Sequence, residues 1–197
     1  MSRLAPLPAE RHPELRDAFA VYKKSLGFVP NSVLILQRRP KVVAALAQLA
    51  AAVWDEDCSV DQGFKRLLAH VSSRVNGCQY CMAHTAGLAL KLGIDPQKLD
   101  QVWDYQASKL FSQAERVAIE FTVSASSVPN AVDDALFERL RAHWSDDEIV
   151  EITSVISIFG FMNRWNDTMA TPLEEEAIEV GQKHLADQGW SVGKHVG

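Results

Sequence analysis

Two cysteines and a histidine that lie close together give this sequence its clearest chemical signal. Cys78, Cys81 and His84 follow the dipeptide Asn76-Gly77, a turn signal that predicts a helix beginning near Cys78. Free N–H groups and the helix dipole at such a position stabilise a thiolate, the reactive form of cysteine. The spacing of three residues places the side chains on one helical face. We therefore expect a nucleophile, a second thiol that can form a disulfide with it, and a base on that face.

Two other interpretations of the cysteine pair stay open. Cys78, Cys81 and His84 are residue types that bind zinc, although three ligands from one short helical segment make poor tetrahedral geometry. The chain also has no second Cys-x-x-Cys or paired histidines to complete such a site. Alternatively, the pair consists of two inert cysteines in a core helix. Cys58 stands alone before a predicted helix start and is expected to have no chemical role.

Further polar residues are candidates for a second wall of the site. His70 lies on the preceding predicted helix and faces either the cysteines or the core. The polar run 163–166, which contains Trp165, interrupts an apolar helix and is expected to line a pocket or a subunit contact. The other histidines occur near helix ends or in the tail, where we expect them to be solvated.

Apolar residues recur at helical spacing along nearly the whole chain, which predicts an all-α protein. Helix-capping patterns begin at Ser59, Ser112 and Ser145, and Asp95-Pro96 marks a further start. The segments 27–31 and 126–130 contain proline and are predicted to be loops. The predicted helices run from Pro13 to Leu26, Lys41 to Trp54, Val60 to Val75, Cys78 to Leu92, Pro96 to Trp103, Gln113 to Ser124, Asp133 to His143, Asp146 to Met169 and Leu173 to Gln188.

Composition excludes several classes of protein. The formal net charge is −5, which argues against a nucleic-acid surface because such a surface needs clustered basic residues. The N-terminus has no apolar signal segment, and no apolar stretch is long enough to span a bilayer. Three cysteines, an odd number, do not fit a secreted disulfide framework. We expect a cytoplasmic protein with no nucleic-acid or membrane partner.

Residues 71–93, VSSRVNGCQYCMAHTAGLALKLG, resemble the core of the alkyl hydroperoxidase D-like (AhpD-like) and carboxymuconolactone decarboxylase superfamily, closest to its peroxidase-related branch. The segments LGFVPNSVLILQRRPKVVAALAQL and SDDEIVEITSVISIFGFMNRWNDTMATPLE are similar to that branch's N-terminal arm and C-terminal helices. The resemblance implies a multi-helical bundle assembled as a homo-oligomer (a dimer, trimer or hexamer) with a cofactor-free thiol peroxidase site. It also implies that Cys81 attacks the peroxide, that Cys78 closes the disulfide, and that a dithiol attacks that disulfide at Cys78.

The chain departs from the family pattern at two positions. The family histidine usually stands where Thr85 lies, one residue after His84. The family also has a glutamate of a proton relay at the position of Arg66, and an arginine cannot act as a base at neutral pH. Arg66 is expected to stabilise a thiolate instead, unless His70 rebuilds the relay or activity is weak.

The leading hypothesis is a peroxidase-type oxidoreductase that reduces hydroperoxides through a dithiol of Cys78 and Cys81, with His84 as proton acceptor and no cofactor or metal. A protein disulfide reductase or redox sensor using the same pair is an alternative, and so is a non-catalytic helical oligomeric binding protein. The chain is predicted to form an N-terminal helical arm (1–40), a helical domain (41–188) and a flexible tail (189–197).

Overall fold

The computed structural model describes residues 2–197, and that part of the chain contains ten α-helices and no β-strand. The all-α class predicted from the sequence is therefore confirmed. Four short 3-10 helices lie between or beside the α-helices. The α-helices are α1 (Arg16–Leu26), α2 (Asn31–Leu36), α3 (Pro40–Val53), α4 (Gln62–Val75), α5 (Gln79–Lys91), α6 (Pro96–Asp100), α7 (Gln113–Ser126), α8 (Asp134–Arg141), α9 (Asp146–Met169) and α10 (Glu175–His184).

Reciprocal capping begins α7 and α9 as predicted. The Ser112 hydroxyl accepts the N–H of Glu115, whose carboxylate accepts the N–H of Ser112. Ser145 and Glu148 form the same pair of hydrogen bonds at the start of α9. Each pair satisfies two backbone donors that have no partner within the helix.

The start of α4 differs from the prediction. Asp61, not Ser59, is the cap, and its carboxylate accepts the N–H of Phe64 at 2.8 Å. The N–H of Ser59 instead donates to the carboxylate of Glu151 on α9 at 2.8 Å. A tertiary hydrogen bond to α9, rather than a local cap, therefore holds the backbone at Ser59.

Helix α2 was not predicted from the sequence because it has only six residues, too few to show helical periodicity. It begins immediately after Pro30, where the sequence indicates a loop. Val33, Ile35 and Leu36 are all buried. Burial of these apolar side chains, rather than local propensity, stabilises the helix.

Helices α4 and α9 form the centre of the molecule. Helix α4 packs against α5, α7 and α9, and its Leu67, Leu68 and Val71 are fully buried. Helix α9 buries Ile152 and Val155, as expected of a helix that is apolar over much of its circumference. The α4–α5 contact places the cysteine motif against this centre.

The predicted N-terminal arm packs on α3 and α9, with its first residue, Met1, outside the described part of the chain. Leu15 and Phe19 share an apolar cluster with Val33, Val155 and Ile158. The arm therefore covers one side of α9 and helps to enclose the space beside α5.

The C-terminal segment 189–197, predicted to be a flexible tail, has two buried side chains, those of Trp190 and His195. Trp190 is buried against Gly181, where a side chain would clash, and its indole N–H donates to the carbonyl of Gln79 at 2.9 Å. His195 is buried rather than solvated, and its carbonyl accepts the N–H of Leu173 at 2.9 Å. Burial of the indole fixes the tail against the start of α5.

None of the helices within residues 2–197 is long and apolar enough to cross a lipid bilayer. An apolar groove between α3, α8 and α9 contains the exposed side chains of Leu49, Val150 and Phe161. Assembly into a homo-oligomer stays a prediction.

Candidate active site

The cysteine pair begins α5, as the sequence predicts. Gly77 has φ +69°, a backbone conformation that a residue without Cβ adopts without strain. Cys78 is the N-cap, and its sulfur accepts the N–H of Cys81 at 3.4 Å. Both thiols are free, and Cys78 is 0% exposed. The two sulfurs therefore belong to one helical turn, with the first sealed from solvent.

A cavity of about 770 Å³ lies beside this turn, and Cys81 is on its wall whereas Cys78 is not. Helices α1 to α5 and α9 all contribute to the wall. The volume lies in the range of small-molecule binding sites. Apolar side chains form much of the lining: Leu46, Ala50, Leu88, Ile158, Phe159 and Met162.

The Cys81 thiol is held on the cavity wall by Asn166 of α9, whose side-chain amide donates to the sulfur at 3.3 Å. Burial raises the pKa of Cys81 well above its ordinary value, and the neighbouring Cys78 raises it further. The hydrogen bond from Asn166 acts in the opposite direction but does not offset the burial. The protonated thiol is therefore the favoured form of Cys81, and its ionisation requires a base.

His84 is placed to supply that base. It lines the same cavity one turn after Cys81, and its Nε2 lies 2.8 Å from the carboxylate of Glu174. Because an ionised carboxylate only accepts hydrogen bonds, Nε2 carries a proton, and in the neutral imidazole the lone pair is on Nδ1. A carboxylate in this position also stabilises the imidazolium that forms when Nδ1 takes a proton.

Glu174 joins three parts of the chain at the site. Its carboxylate also accepts the Tyr80 hydroxyl at 3.0 Å and the backbone N–H of Asn31 at 2.6 Å. Burial would raise the pKa of Glu174, but the hydrogen bonds from His84 and Asn31 outweigh it and hold that pKa below its ordinary value. The carboxylate is therefore ionised at neutral pH.

His70 is brought close to α5 but not to the cavity wall. It is 0% exposed, and its Nδ1 lies 3.1 Å from the carbonyl of Met82 and 3.5 Å from the Thr85 hydroxyl. Burial lowers its pKa to about 4, so the ring is neutral at neutral pH. Thr85, at the position of the family histidine, donates to the carbonyl of Cys81 at 2.7 Å.

Arg66 lies on the cavity wall, on α4, and is 6% exposed. Its guanidinium carbon is 3.4 Å from the centre of the Trp54 ring, and Nη2 donates to the Ser25 hydroxyl at 3.0 Å. Burial lowers the pKa of Arg66 to about 9, which leaves the group charged at neutral pH. The structure thus places a buried cation on the same cavity as Cys81.

Glu174 and Tyr80 escape prediction from the sequence. Glu174 is far from the cysteine motif along the chain, and no local pattern marks it. The polar run 163–166 does carry a signal, and its Asn166 reaches the cavity. Trp165 is not on the cavity wall and stacks on Phe161 at a ring distance of 6.4 Å.

Cys58 is free, partly buried and absent from the cavity wall. Within residues 2–197, no group of three or more His, Cys, Asp or Glu side chains is arranged to hold a metal ion. The candidate reactive groups at the cavity are the Cys81 thiol, the imidazole of His84, which pairs with Glu174, and the guanidinium of Arg66.

Comparison with known proteins identifies relatives over most of the chain. The sequence model of the carboxymuconolactone decarboxylase family matches residues 40–124. The uncharacterized protein YnjA of Escherichia coli (strain K12) is 35% identical over 160 residues, which are 81% of this chain and 88% of YnjA.

Solved structures agree with this assignment. A cysteine-to-alanine variant of the debrominase Bmp8, in complex with 2,3,4-tribromopyrrole, has a TM-score of 0.85 and 28% identity over 91% of this chain and 95% of Bmp8. A peroxidase-related protein of Ralstonia eutropha with the alkylhydroperoxidase AhpD core has a TM-score of 0.74 and 22% identity over 88% of this chain and 94% of its own, a likeness that shows the fold. The chain therefore belongs to the carboxymuconolactone decarboxylase family and has the AhpD-like fold, as the sequence predicts.

Proposed function

We propose that this chain is a cofactor-free thiol peroxidase that reduces hydroperoxides at Cys81 and closes a disulfide with Cys78. One observation carries the proposal: Cys81 and His84 share the wall of one small-molecule cavity, His84 pairs with Glu174 behind it, and Cys78 lies in the same helical turn as Cys81. A nucleophile, an oriented base and a second thiol are the groups that this chemistry requires.

The first step oxidises Cys81. Nδ1 of His84 takes the thiol proton, and Glu174 stabilises the imidazolium. The thiolate then attacks the terminal oxygen of the hydroperoxide, and the O–O bond breaks. The departing alkoxide takes the proton from His84 and leaves as an alcohol, while Cys81 becomes a sulfenic acid.

The second step forms the disulfide. The Cys78 sulfur attacks the Cys81 sulfur, the S–O bond breaks, and hydroxide leaves with the Cys78 proton as water. One hydroperoxide and two thiols thus give one alcohol, one water and one disulfide. A dithiol restores the reduced enzyme by two thiol–disulfide exchanges.

Access favours small molecules over proteins as reaction partners. Cys81 is 3% exposed and lies inside a cavity, which a disulfide on a protein surface does not enter easily. Because Cys78 does not line the cavity, the reductant reaches the disulfide more readily at Cys81, although the family resemblance implies attack at Cys78. The reductant is proposed to be a small dithiol.

Reductive dehalogenation is a second candidate function, favoured by the similarity to the debrominase Bmp8 over 91% of this chain. The Cys81 thiolate would take the halogen from carbon as a sulfenyl halide, while a proton from His84 replaces it on carbon. Attack by Cys78 would then release the halide ion with the Cys78 proton and form the same disulfide. The two candidates thus differ in substrate and share the thiol chemistry.

Turnover with dithiothreitol separates these functions. We expect the wild-type protein and Cys58→Ser to consume cumene hydroperoxide at equal rates, and Cys81→Ser to be inactive. Bromide release from a brominated pyrrole, without peroxide consumption, would favour the second function. Consumption of neither substrate would contradict both and favour a binding protein with inert cysteines.

A further inference from the structure

Arg66 has hydrogen-bonding capacity that the protein does not use. A guanidinium has five N–H donors, and among residues 2–197 only the Ser25 hydroxyl accepts a hydrogen bond from it. Its Nε is buried without a partner. No carboxylate in this part of the chain forms an ion pair with it. The cation is therefore buried without a carboxylate partner.

The adjacent residue on α4, Lys65, is a buried cation that has partners within the protein. Lys65 is 0% exposed, its Nζ donates to the carbonyl of Val53 at 2.6 Å, and Glu151 lies 3.9 Å away. Buried charges are normally paired in this way because burial without a partner is costly. Arg66 departs from this rule at a position that lines the cavity.

The geometry at Arg66 favours an acceptor that comes from the cavity. The guanidinium stacks on the face of Trp54, which leaves the in-plane N–H groups at its edge available for a planar anion. Three carboxylates, Asp55, Glu56 and Asp57, also line the cavity, and none of them pairs with Arg66; Glu56 is exposed and pairs with Lys24 at 2.9 Å, and Asp55 accepts the N–H of Asp57.

We propose that Arg66 binds the carboxylate of an organic substrate, so that the hydroperoxide consumed at Cys81 is a small carboxylic acid with an apolar body. The reaction of this substrate rests on the proposed function. Its position rests on the cavity that Arg66 and Cys81 share. The apolar lining contacts the body of the molecule, while the guanidinium holds its charged end. Arg66 is thus a residue that determines specificity at this site.

Binding of inert probes tests the inference without turnover. The benzoate 4-isopropylbenzoate and its neutral amide have the same shape, and their affinities for the reduced protein can be compared by calorimetry. We expect the wild-type protein to prefer the benzoate about 10- to 100-fold, as a charge-assisted hydrogen bond provides. Arg66→Met should lose this preference. Arg74→Met should keep it, since Arg74 also lies on α4 and stacks on a tryptophan, Trp103, but does not line the cavity.

Equal affinity of the wild-type protein for the two probes, or no binding of either, would overturn the inference even if Arg66→Met does not fold. Retained preference in a folded Arg66→Met protein would also overturn it. Turnover of neutral cumene hydroperoxide and of its ring 4-carboxylate by the wild-type protein is measured separately. Turnover of either hydroperoxide without benzoate preference contradicts only the carboxylate site, whereas benzoate preference without turnover of either hydroperoxide contradicts only the peroxidase proposal.

Discussion

Two histidines lie near the cysteine pair, and their surroundings differ. His84 lines the cavity and pairs with the carboxylate of Glu174 at 2.8 Å. His70 is sealed in the core, and its Nδ1 lies 3.1 Å from a backbone carbonyl, that of Met82. Of the two histidines, only His84 lines the cavity and pairs with a carboxylate, which are the features that a proton acceptor needs.

Electrostatics separates the two histidines further. Burial lowers the pKa of His70 to about 4, and no carboxylate pairs with it among residues 2–197. Hydrogen bonds hold the pKa of Glu174 below its ordinary value, so a negative charge stands beside His84 at neutral pH. We therefore propose His84, rather than His70, as the proton acceptor.

The largest expected effect follows from removing the proton acceptor. In His84→Asn, we expect the rate of peroxide-dependent disulfide formation to fall about 10²- to 10⁴-fold, the usual contribution of general base catalysis. Stopped-flow fluorescence measures this rate, and thermal unfolding checks the fold. His184→Asn, at the end of α10, is the control. A rate within threefold of the wild type would remove His84 from the mechanism.

Loss of the carboxylate should have a smaller effect. Glu174→Gln keeps the shape of the side chain but no longer stabilises an imidazolium, so we expect the same rate to fall about 10- to 100-fold. Glu175→Gln changes the adjacent exposed carboxylate and should react like the wild type. Equal rates in these two variants would contradict the assigned pairing of Glu174 with His84.

The smallest effect on rate is expected at His70, where the change affects stability. As pH falls from about 6.5 towards about 4, the unfolded chain binds a proton at His70 and the folded protein does not, so stability falls. At pH 5 this loss is roughly 2 kcal/mol relative to pH 7. His70→Gln should reduce the loss by that amount and change the rate less than threefold.

Urea unfolding at pH 5 and pH 7 measures the change in stability. The wild type and His184→Asn serve as references, because both keep His70. An unchanged pH dependence in His70→Gln, or a rate loss as large as that of His84→Asn, would show that the two histidines are not distinct in role.

The starts of α7 and α9 and the cysteine motif could be predicted because their signals are local. Ser112 and Ser145 cap helices through residues three positions away, and Cys78 and Cys81 lie within one turn. Helix α2 could not be predicted, since tertiary burial stabilises it. Only folding brings Glu174 to His84, and a local pattern contains no signal for such a pair.

The position of Arg66 shows a second limit. The departure from the family glutamate is visible in the sequence and marks this residue as unusual. The missing acceptor is visible only in the structure, because partners of a buried cation come from distant segments, as Glu151 does for Lys65. The sequence therefore shows the substitution, but only the structure shows that N–H groups of Arg66 have no acceptor.

The central claim is that Cys81 and Cys78 cycle between two thiols and one disulfide. Adding one equivalent of hydroperoxide to the reduced protein and mapping its cysteines by mass spectrometry tests this most directly. The account predicts loss of two of the three thiols, a Cys78–Cys81 bridge and a free Cys58. Three unreacted thiols, or a bridge that includes Cys58, would contradict it.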